Sequence, residues 1–190
     1  MRTPKNFSVK MGDKIMRFER ITDAGHPMYP AAMALYRESF PAHELRESAS
    51  QERILHDRAY HFNLAYDGET FVGLALCWEP ETFIYVEHLC ILPALRGHAY
   101  GSAVLALLAA EGKTVILEID PPVDDISVRR LGFYERNGFS VNPYAHVHPP
   151  YHAGNHGHNL VVMSRPGVLT REEYDGFARC LAGHIMKGAY

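Results

Sequence analysis

Residues 83–111 read FIYVEHLCILPALRGHAYGSAVLALLAAE, and this stretch decides the fold of the chain. It predicts a buried strand over Phe83–Leu92, which Pro93 ends, and an apolar helix over Ala103–Glu111 after a short loop. The first amide N–H groups of a helix have no intrahelical partner and carry the positive end of the helix dipole. A strand, a loop and a helix start in this order therefore predict an anion-binding site.

The loop between that strand and that helix, Arg96–Ser102, has the residues that such a site needs. Gly97 and Gly101 let the backbone approach a ligand closely, and Arg96 and His98 add positive charge. The combination predicts a phosphate-binding loop.

A second stretch, residues 129–139, reads RRLGFYERNGF and predicts the end of a helix. The helix is expected over Ile126–Asn137, with Asp124 or Asp125 as its N-cap. Gly138 stands where a left-handed residue commonly caps a helix.

Together the two stretches resemble signatures of the GNAT superfamily of N-acetyltransferases. Pro93, Arg96 and Gly101 are spaced as in that family's acetyl-CoA pyrophosphate loop, with Ala99 where a middle glycine is usual. Residues 134–139, YERNGF, are similar to the family's helix-end signature of Tyr, Glu, two residues, Gly and Phe. Because alanine disfavours the left-handed region, we expect an ordinary negative φ at Ala99.

The order of strands and helices predicts one α+β domain, a GNAT-like mixed central sheet of about seven strands with helices on both faces. The strand over Thr114–Ile119 is expected to lie parallel to Phe83–Leu92 after a right-handed crossover. The resemblance implies that these two central parallel strands splay apart. Residues 1–15 are polar without periodicity and are expected to form an N-terminal extension to a single domain over residues 16–190. The other predicted strands are 16–21, 60–66, 70–78, 139–141 and 159–164.

Composition and charge limit the kinds of partner. The chain of 190 residues is 47% hydrophobic and 22% charged, which is ordinary for a globular domain. A net charge of −3 and the lack of a Lys/Arg run argue against nucleic acid as a partner. No stretch is apolar over a membrane-spanning length, and three cysteines without metal or redox spacing favour a reducing cytoplasm. We expect a monomer or a homodimer.

The resemblance, which covers roughly residues 16–164, implies an acetyl-CoA-dependent N-acetyltransferase. It implies direct transfer of the acetyl group to a primary amine, with a small molecule as the acceptor. The acetyl-CoA arm is expected to lie between the splayed strands as if it were a strand, with its diphosphate on the loop. The implied cofactor-binding residues are Leu89, Cys90, Ile91, Arg96, Gly97, His98, Ala99, Tyr100, Gly101, Ser102, Ser127 (where the family often has an asparagine) and Tyr134.

The implied reaction needs a base that frees the amine and an acid that protonates the leaving thiolate. Tyr134 matches the family's tyrosine general acid, and a phenol of pKa about 10 is adequate for a thiolate. Glu118 and Glu87 each match a glutamate base found in family members, and either could act through a water. We favour Glu118 because it is the lone polar residue between apolar neighbours.

A function of a different class is also compatible with these residues. The chain could bind CoA or acyl-CoA as a sensor or interaction module and carry out no chemistry. Binding of acetyl-CoA, followed by thiol release with a panel of amines, separates the two.

Five of the 12 histidines lie close together after the second motif. Spaced imidazoles can bind zinc or nickel. The segment is rich in glycine and asparagine, which give little support to a metal site, so we expect a flexible wall of the acceptor pocket and no metal. These histidines are His146, His148, His152, His156 and His158.

Overall fold

The computed structural model describes residues 8–190, and within this range the chain forms nine strands and five α-helices. The strands are β1 (Ser8–Met11), β2 (Lys14–Ile21), β3 (Tyr60–Asp67), β4 (Thr70–Trp78), β5 (Phe83–Ile91), β6 (Thr114–Ile119), β7 (Ser140–Val141), β8 (His146–His148) and β9 (His158–Arg165). The helices are α1 (Tyr29–Ser39), α2 (Ser48–Ile54), α3 (Tyr100–Ala109), α4 (Asp125–Arg136) and α5 (Arg171–Cys180). One-turn 3-10 helices lie at Ala42–Glu44 and Pro93–Leu95, and a π-helical turn at Leu181–Ile185 follows α5.

One mixed sheet organises these elements. Its strand order is β1-β2-β3-β4-β5-β6-β9-β7, and β8 pairs with β9. The β5–β6 pair is parallel, and the other described pairs are antiparallel. The predicted α+β class with a mixed sheet is confirmed. The predicted number of about seven strands is low because β1 and β8 are short and lie in polar segments.

The first described residues correct the predicted N-terminal extension. β1 pairs with β2 along its whole length, and Gly12, with a φ of 60°, lies in the turn of the hairpin. The dipeptide Gly12-Asp13 is a turn signal between two strands. Residues 8–15 therefore belong to the sheet rather than to a loose extension, while residues 1–7 lie outside the described part of the chain.

Helices cover both faces of the sheet, as predicted. α1, α2 and α5 pack on one face in a core that includes Tyr36, Phe62 and Phe177. α3 packs on the other face in a core that includes Val104 and Leu117, and partly buried residues of α4 join it. Burial of apolar area at about 25 cal/mol per Å² stabilises both layers. No helix in residues 8–190 has the length and apolar character needed to cross a membrane.

The two central parallel strands separate partway along, as the resemblance implied. The last paired residues of β5 and β6 are Val86 and Leu117. Beyond them, β5 stays paired with β4 up to Ile91, and β6 stays paired with β9 up to Ile119. Glu87 is the extra residue of a β-bulge at this point, and bulges bend strands. A gap thus opens inside the sheet while the ladders on its two sides continue.

The helix after this gap begins earlier than the sequence predicts. α3 starts at Tyr100 rather than Ala103, so its first turn includes the end of the glycine-containing loop. α4 starts with a capping box, in which Asp124 accepts from the amides of Ile126 and Ser127. These two helix starts fix the segments that border the gap.

Candidate active site

A cavity of about 1030 Å³ opens where β5 and β6 separate. Its walls come from the separated halves of β5 and β6, the loop before α3, the end of α4 and the segment after β8. The same cavity therefore reaches the predicted phosphate loop, Tyr134 and both candidate carboxylates.

Six consecutive backbone amides, those of residues 97–102, have no acceptor within the described chain. The amides on either side are bonded, since Arg96 donates to the carbonyl of Pro93 and Ala103 to that of Ala99. Gly97 and Ala99 both have left-handed backbones, with φ of 82° and 61°. Where right-handed and left-handed backbone conformations alternate, consecutive amides point to one side and form a concave anion-binding site. The positive end of the dipole of α3 adds to it.

 The backbone of Ala99 differs from the one that the sequence predicts, with a φ of 61° and a ψ of 10°. The prediction of a negative φ at this position is wrong. A left-handed alanine costs about 1–2 kcal/mol, and here the loop imposes it because its amides must face one side. Gly101 is needed for a different reason, since a Cβ there would lie 3.1 Å from Cζ of Phe133 on α4.

Most of the predicted cofactor-binding residues line the cavity, and two do not. His98 is exposed, with Nδ1 3.1 Å from the carbonyl oxygen of Arg96. Ser127 uses its hydroxyl in the capping box of α4, where it accepts from the amides of Val123 and Asp124. The residues that line the cavity as predicted are Leu89, Cys90, Ile91, Arg96, Gly97, Ala99, Tyr100, Gly101, Ser102 and Tyr134.

Tyr134 lies in the last turn of α4, and its side chain forms part of the cavity wall. The ring packs edge-on against Phe133 and Phe139, with centroids 5.1 and 5.8 Å away. No residue among 8–190 forms a hydrogen bond with its hydroxyl, and burial raises the pKa of the phenol. Tyr134 thus presents a protonated hydroxyl that a ligand in the cavity can use.

Glu118 lies on β6 just past the last residue paired with β5, and its side chain is 5% exposed. The hydroxyl of Tyr85 donates to its Oε2 at 2.5 Å, and Nε2 of His146 bonds its Oε1. Nε2 of His148 lies 3.8 Å from Oε2. The carboxylate is therefore at the centre of a buried polar cluster that borders the cavity.

Glu87, the other candidate base, is engaged by several donors. Arg46 donates to its Oε1 from Nε at 3.0 Å, and Trp78 donates to its Oε2 at 2.8 Å. The hydroxyl of Tyr151 also donates to Oε1, at 3.1 Å. Burial alone would raise the pKa of Glu87, but the charge of Arg46 and these hydrogen bonds hold it below its usual range. Because these contacts favour the ionised carboxylate, Glu87 suits a structural ion pair better than the role of proton acceptor.

Sequence reasoning missed three residues of these clusters, Arg46, Tyr85 and Tyr151, and it missed the bond between His146 and Glu118. One signal was present, because His146 and His148 alternate around Val147, which is 56% exposed, as residues of a half-buried strand do. The predicted flexible histidine loop is in part the strand β8, which pairs with β9. The contacts of Arg46 and Tyr85 depend on tertiary structure and leave no local pattern.

The thiol of Cys90 lies on β5 at the cavity. Burial raises the pKa of this thiol to about 11, which keeps it protonated and weakly nucleophilic at neutral pH. Cys77 and Cys180 are also free thiols. The geometry gives no support to a covalent acyl-cysteine.

One group of metal-binding residue types comes together in residues 8–190. Ligand atoms of His43, Glu44 and His158 lie within 4.8 Å of one another, and all three residues line the cavity. Only His158 belongs to the histidine-rich segment, and His43 is 60% exposed. That the protein works without a metal stays a prediction.

Two parallel strands separate here beside a loop whose amides have no acceptor within the described chain. This arrangement suits a class of protein that binds a nucleotide diphosphate on the loop and its extended arm between the strands. The chain belongs to the GNAT acetyltransferase family, because the model of the Acetyltransferase (GNAT) family matches residues 26–139. Membership of this family supports an acyltransferase.

Individual relatives agree with this assignment. The structure of a GNAT family protein from Bacteroides thetaiotaomicron is 30% identical, with a TM-score of 0.83 over 90% of this chain and 98% of that one. A Bacillus subtilis acetyltransferase in complex with CoA has a TM-score of 0.54 at 12% identity, over 78% of this chain and 97% of that one. The YjbC protein of Bacillus subtilis (strain 168) is 29% identical over 104 residues, which span 54% of this chain and about half (53%) of that protein.

Proposed function

We propose that this chain is an N-acetyltransferase that moves an acetyl group from acetyl-CoA to a primary amine of a small molecule, in the cytoplasm. A single observation carries the proposal. One cavity joins six free amides, the gap between the parted strands, the hydroxyl of Tyr134 and the cluster around Glu118. Solved structures of the same fold that hold CoA or acetyl-CoA support the choice of donor.

The residues present fit acetyl-CoA. The amides of residues 97–102 would hold its diphosphate, and Arg96, whose Nε donates to the carbonyl of Ile91, adds positive charge beside them. The backbone of residues 89–91 is bonded to β4 on one side and has no strand on the other, so it can pair with the amides of an extended arm. Bound acetyl-CoA supplies an activated acetyl thioester.

The protein then has three tasks. An amine is protonated at neutral pH, so a group at the Glu118 cluster must take one proton to make the nitrogen nucleophilic. As the C–N bond forms and the C–S bond breaks, Tyr134 gives its proton to the thiolate sulfur. The nitrogen's second proton returns to Tyr134, and the first goes to solvent, so the products are an amide, a thiol and one proton.

The experiment that tests the proposal has two stages. Calorimetry measures binding of acetyl-CoA, and thiol release with a panel of amines, followed by mass spectrometry of the products, measures transfer. We expect binding and at least one acetylated amine. Binding without transfer to any amine would replace the enzyme with a CoA-binding sensor or interaction module, and no binding would overturn both.

A further inference from the structure

We infer that His148, rather than a carboxylate, is the group that takes the proton from the acceptor amine, with Glu118 as its charge partner. The inference rests on the proposed amine acetylation and names the residue that performs one step of it.

The tautomer of His148 is fixed by its neighbour in sequence. Nδ1 lies 2.6 Å from the carbonyl oxygen of Pro149, which can only accept a hydrogen bond. Nδ1 must therefore carry a hydrogen, and in the neutral ring the lone pair is on Nε2. The ring is held in place by stacking on Tyr151, with centroids 4.9 Å apart, and His148 lines the cavity.

The lone pair on Nε2 is not used by a strong bond inside the protein. The nearest donor is the hydroxyl of Tyr151 at 3.4 Å, and that hydroxyl has a shorter bond to Oε1 of Glu87 at 3.1 Å. Glu118, by contrast, already accepts from the hydroxyl of Tyr85 and is hydrogen-bonded to Nε2 of His146. A proton placed on Glu118 would weaken the bonds that its two oxygens already make, whereas a proton placed on Nε2 of His148 displaces no strong bond.

The charged form of His148 also has acceptors for both of its N–H groups. Nδ1–H donates to the carbonyl of Pro149, and Nε2–H faces Oε2 of Glu118 at 3.8 Å. A carboxylate at this distance stabilises the imidazolium that forms.

Three ionisable groups beside His148, namely His88, Glu87 and Tyr151, do not compete for the proton. Burial lowers the pKa of His88 on β5 to about 4, so His88 remains neutral when His148 is charged. Glu87 is paired with Arg46, and burial raises the pKa of Tyr151 far above neutral pH. His146 bonds Glu118 and the hydroxyl of Tyr174, and His158 lies opposite His148 on β9.

The step balances in atoms and charge. The ammonium nitrogen of the acceptor gives one proton to Nε2 of His148, directly or through one water, and keeps its lone pair for attack on the acetyl carbon. The imidazolium then releases that proton to solvent before the next cycle. The thiol proton still comes from Tyr134.

Two measurements test the inference, and the first needs no catalysis. The nitrogen chemical shifts of His148 in wild-type protein report its tautomer, and we expect the Nδ1–H form. An Nε2–H tautomer would overturn the inference whether or not an acceptor amine has been found.

The second measurement is kinetic. In His148→Asn the amide nitrogen can still donate to Pro149, but no base remains, so we expect kcat/KM to fall by about 10²- to 10⁴-fold with acetyl-CoA binding unchanged. The acid limb of the pH–rate profile should disappear, and added imidazole should restore part of the rate. The control is His56→Gln, an exposed histidine outside the cavity lining, which should match wild type.

The outcomes separate the two proposals. If His148→Asn keeps wild-type activity and the wild-type pH profile, the role of His148 is refuted, but the proposed acetyltransferase function stands. A wild type that acetylates no amine refutes the proposed function. If His148→Asn does not fold, the tautomer in the wild-type protein decides alone.

Discussion

Arg46 and Glu87, 41 positions apart in the sequence, form a buried ion pair with Nη2 2.9 Å from Oε1. Both side chains are 1% exposed. Arg46 also donates to the carbonyl of Ile185 in the π-helical turn after α5, at 2.7 Å. The pair therefore ties the segment before α2 and the C-terminal turn to the bulge where the central strands part.

The change Glu87→Gln should destabilise the protein strongly. It leaves the charge of Arg46 buried without a counter-ion, which costs about 3–5 kcal/mol in comparable cases. Thermal or urea unfolding followed by circular dichroism measures the loss. In the double variant Arg46→Met/Glu87→Leu most of it should be recovered, since no charge is then buried. A single variant as stable as wild type would contradict the structural role.

The same pair predicts a pH dependence. The folded-state pKa of Glu87 is lowered, so its contribution to stability is complete above the unfolded-state pKa of about 4.3. That contribution is lost as the pH falls below this value and through the folded-state pKa. Between pH 7 and pH 3, wild type should therefore lose more stability than Glu87→Gln, and parallel curves would contradict the assignment.

The change Ala99→Gly should stabilise the protein. Glycine removes the left-handed strain of about 1–2 kcal/mol. It also increases the conformational entropy of the unfolded chain, which favours unfolding by about 0.4–1 kcal/mol. The free energy of unfolding should therefore rise by about 0.5–1 kcal/mol. Urea unfolding measures it. Ala106→Gly, in the middle of α3, is the matched control and should cost about 1 kcal/mol. Equal destabilisation by both changes would mean that Ala99 is not strained.

The change Tyr134→Phe should lower kcat by about 10²- to 10⁴-fold, because it removes the proton donor for the leaving thiolate. The dissociation constant for acetyl-CoA should not change, since the ring that packs on Phe133 and Phe139 remains. Steady-state kinetics and calorimetry measure the two effects. Tyr66→Phe, which removes a hydroxyl outside the cavity lining, is the control. Unchanged turnover in Tyr134→Phe would exclude the residue as the acid.

The change Cys90→Ala should leave turnover within a few-fold of wild type, because the thiol is protonated at neutral pH and direct transfer does not use it. Initial rates, together with the intact mass of wild type after incubation with acetyl-CoA, test this. An acetylated Cys90 in wild type, combined with an inactive variant, would show a covalent route instead.

The loop of unbonded amides could be predicted because it follows from a local pattern, whereas the parting of the two central strands was implied by the family resemblance. A strand that ends in Pro93 and a helix that starts after glycines specify where free amides must fall. The capping box at Asp124 and the left-handed Gly138, with a φ of 82°, also came from residue types at fixed positions. In each case the residues that decide the structure are neighbours in sequence.

The errors and omissions come from contacts between distant residues. At Ala99 the loop overrides the preference of alanine for negative φ, which no inspection of the residue alone reveals. The bonds of Glu118 to Tyr85 and His146 join β6 to β5 and β8, so the environment of the carboxylate appears only when the sheet is assembled. Choosing between Glu118 and Glu87 depended on those environments rather than on their neighbours in sequence.

The interruption of pairing between β5 and β6 has a consequence for how the sequence can vary. Past Val86 the main chain of β5 supplies free peptide groups to whatever enters the gap, and peptide groups are the same for every residue except proline. Recognition through peptide groups does not depend on which side chains the strand carries. Substitutions other than proline at Leu89–Ile91 should therefore leave binding of the acetyl donor intact, while proline at the same positions should abolish it.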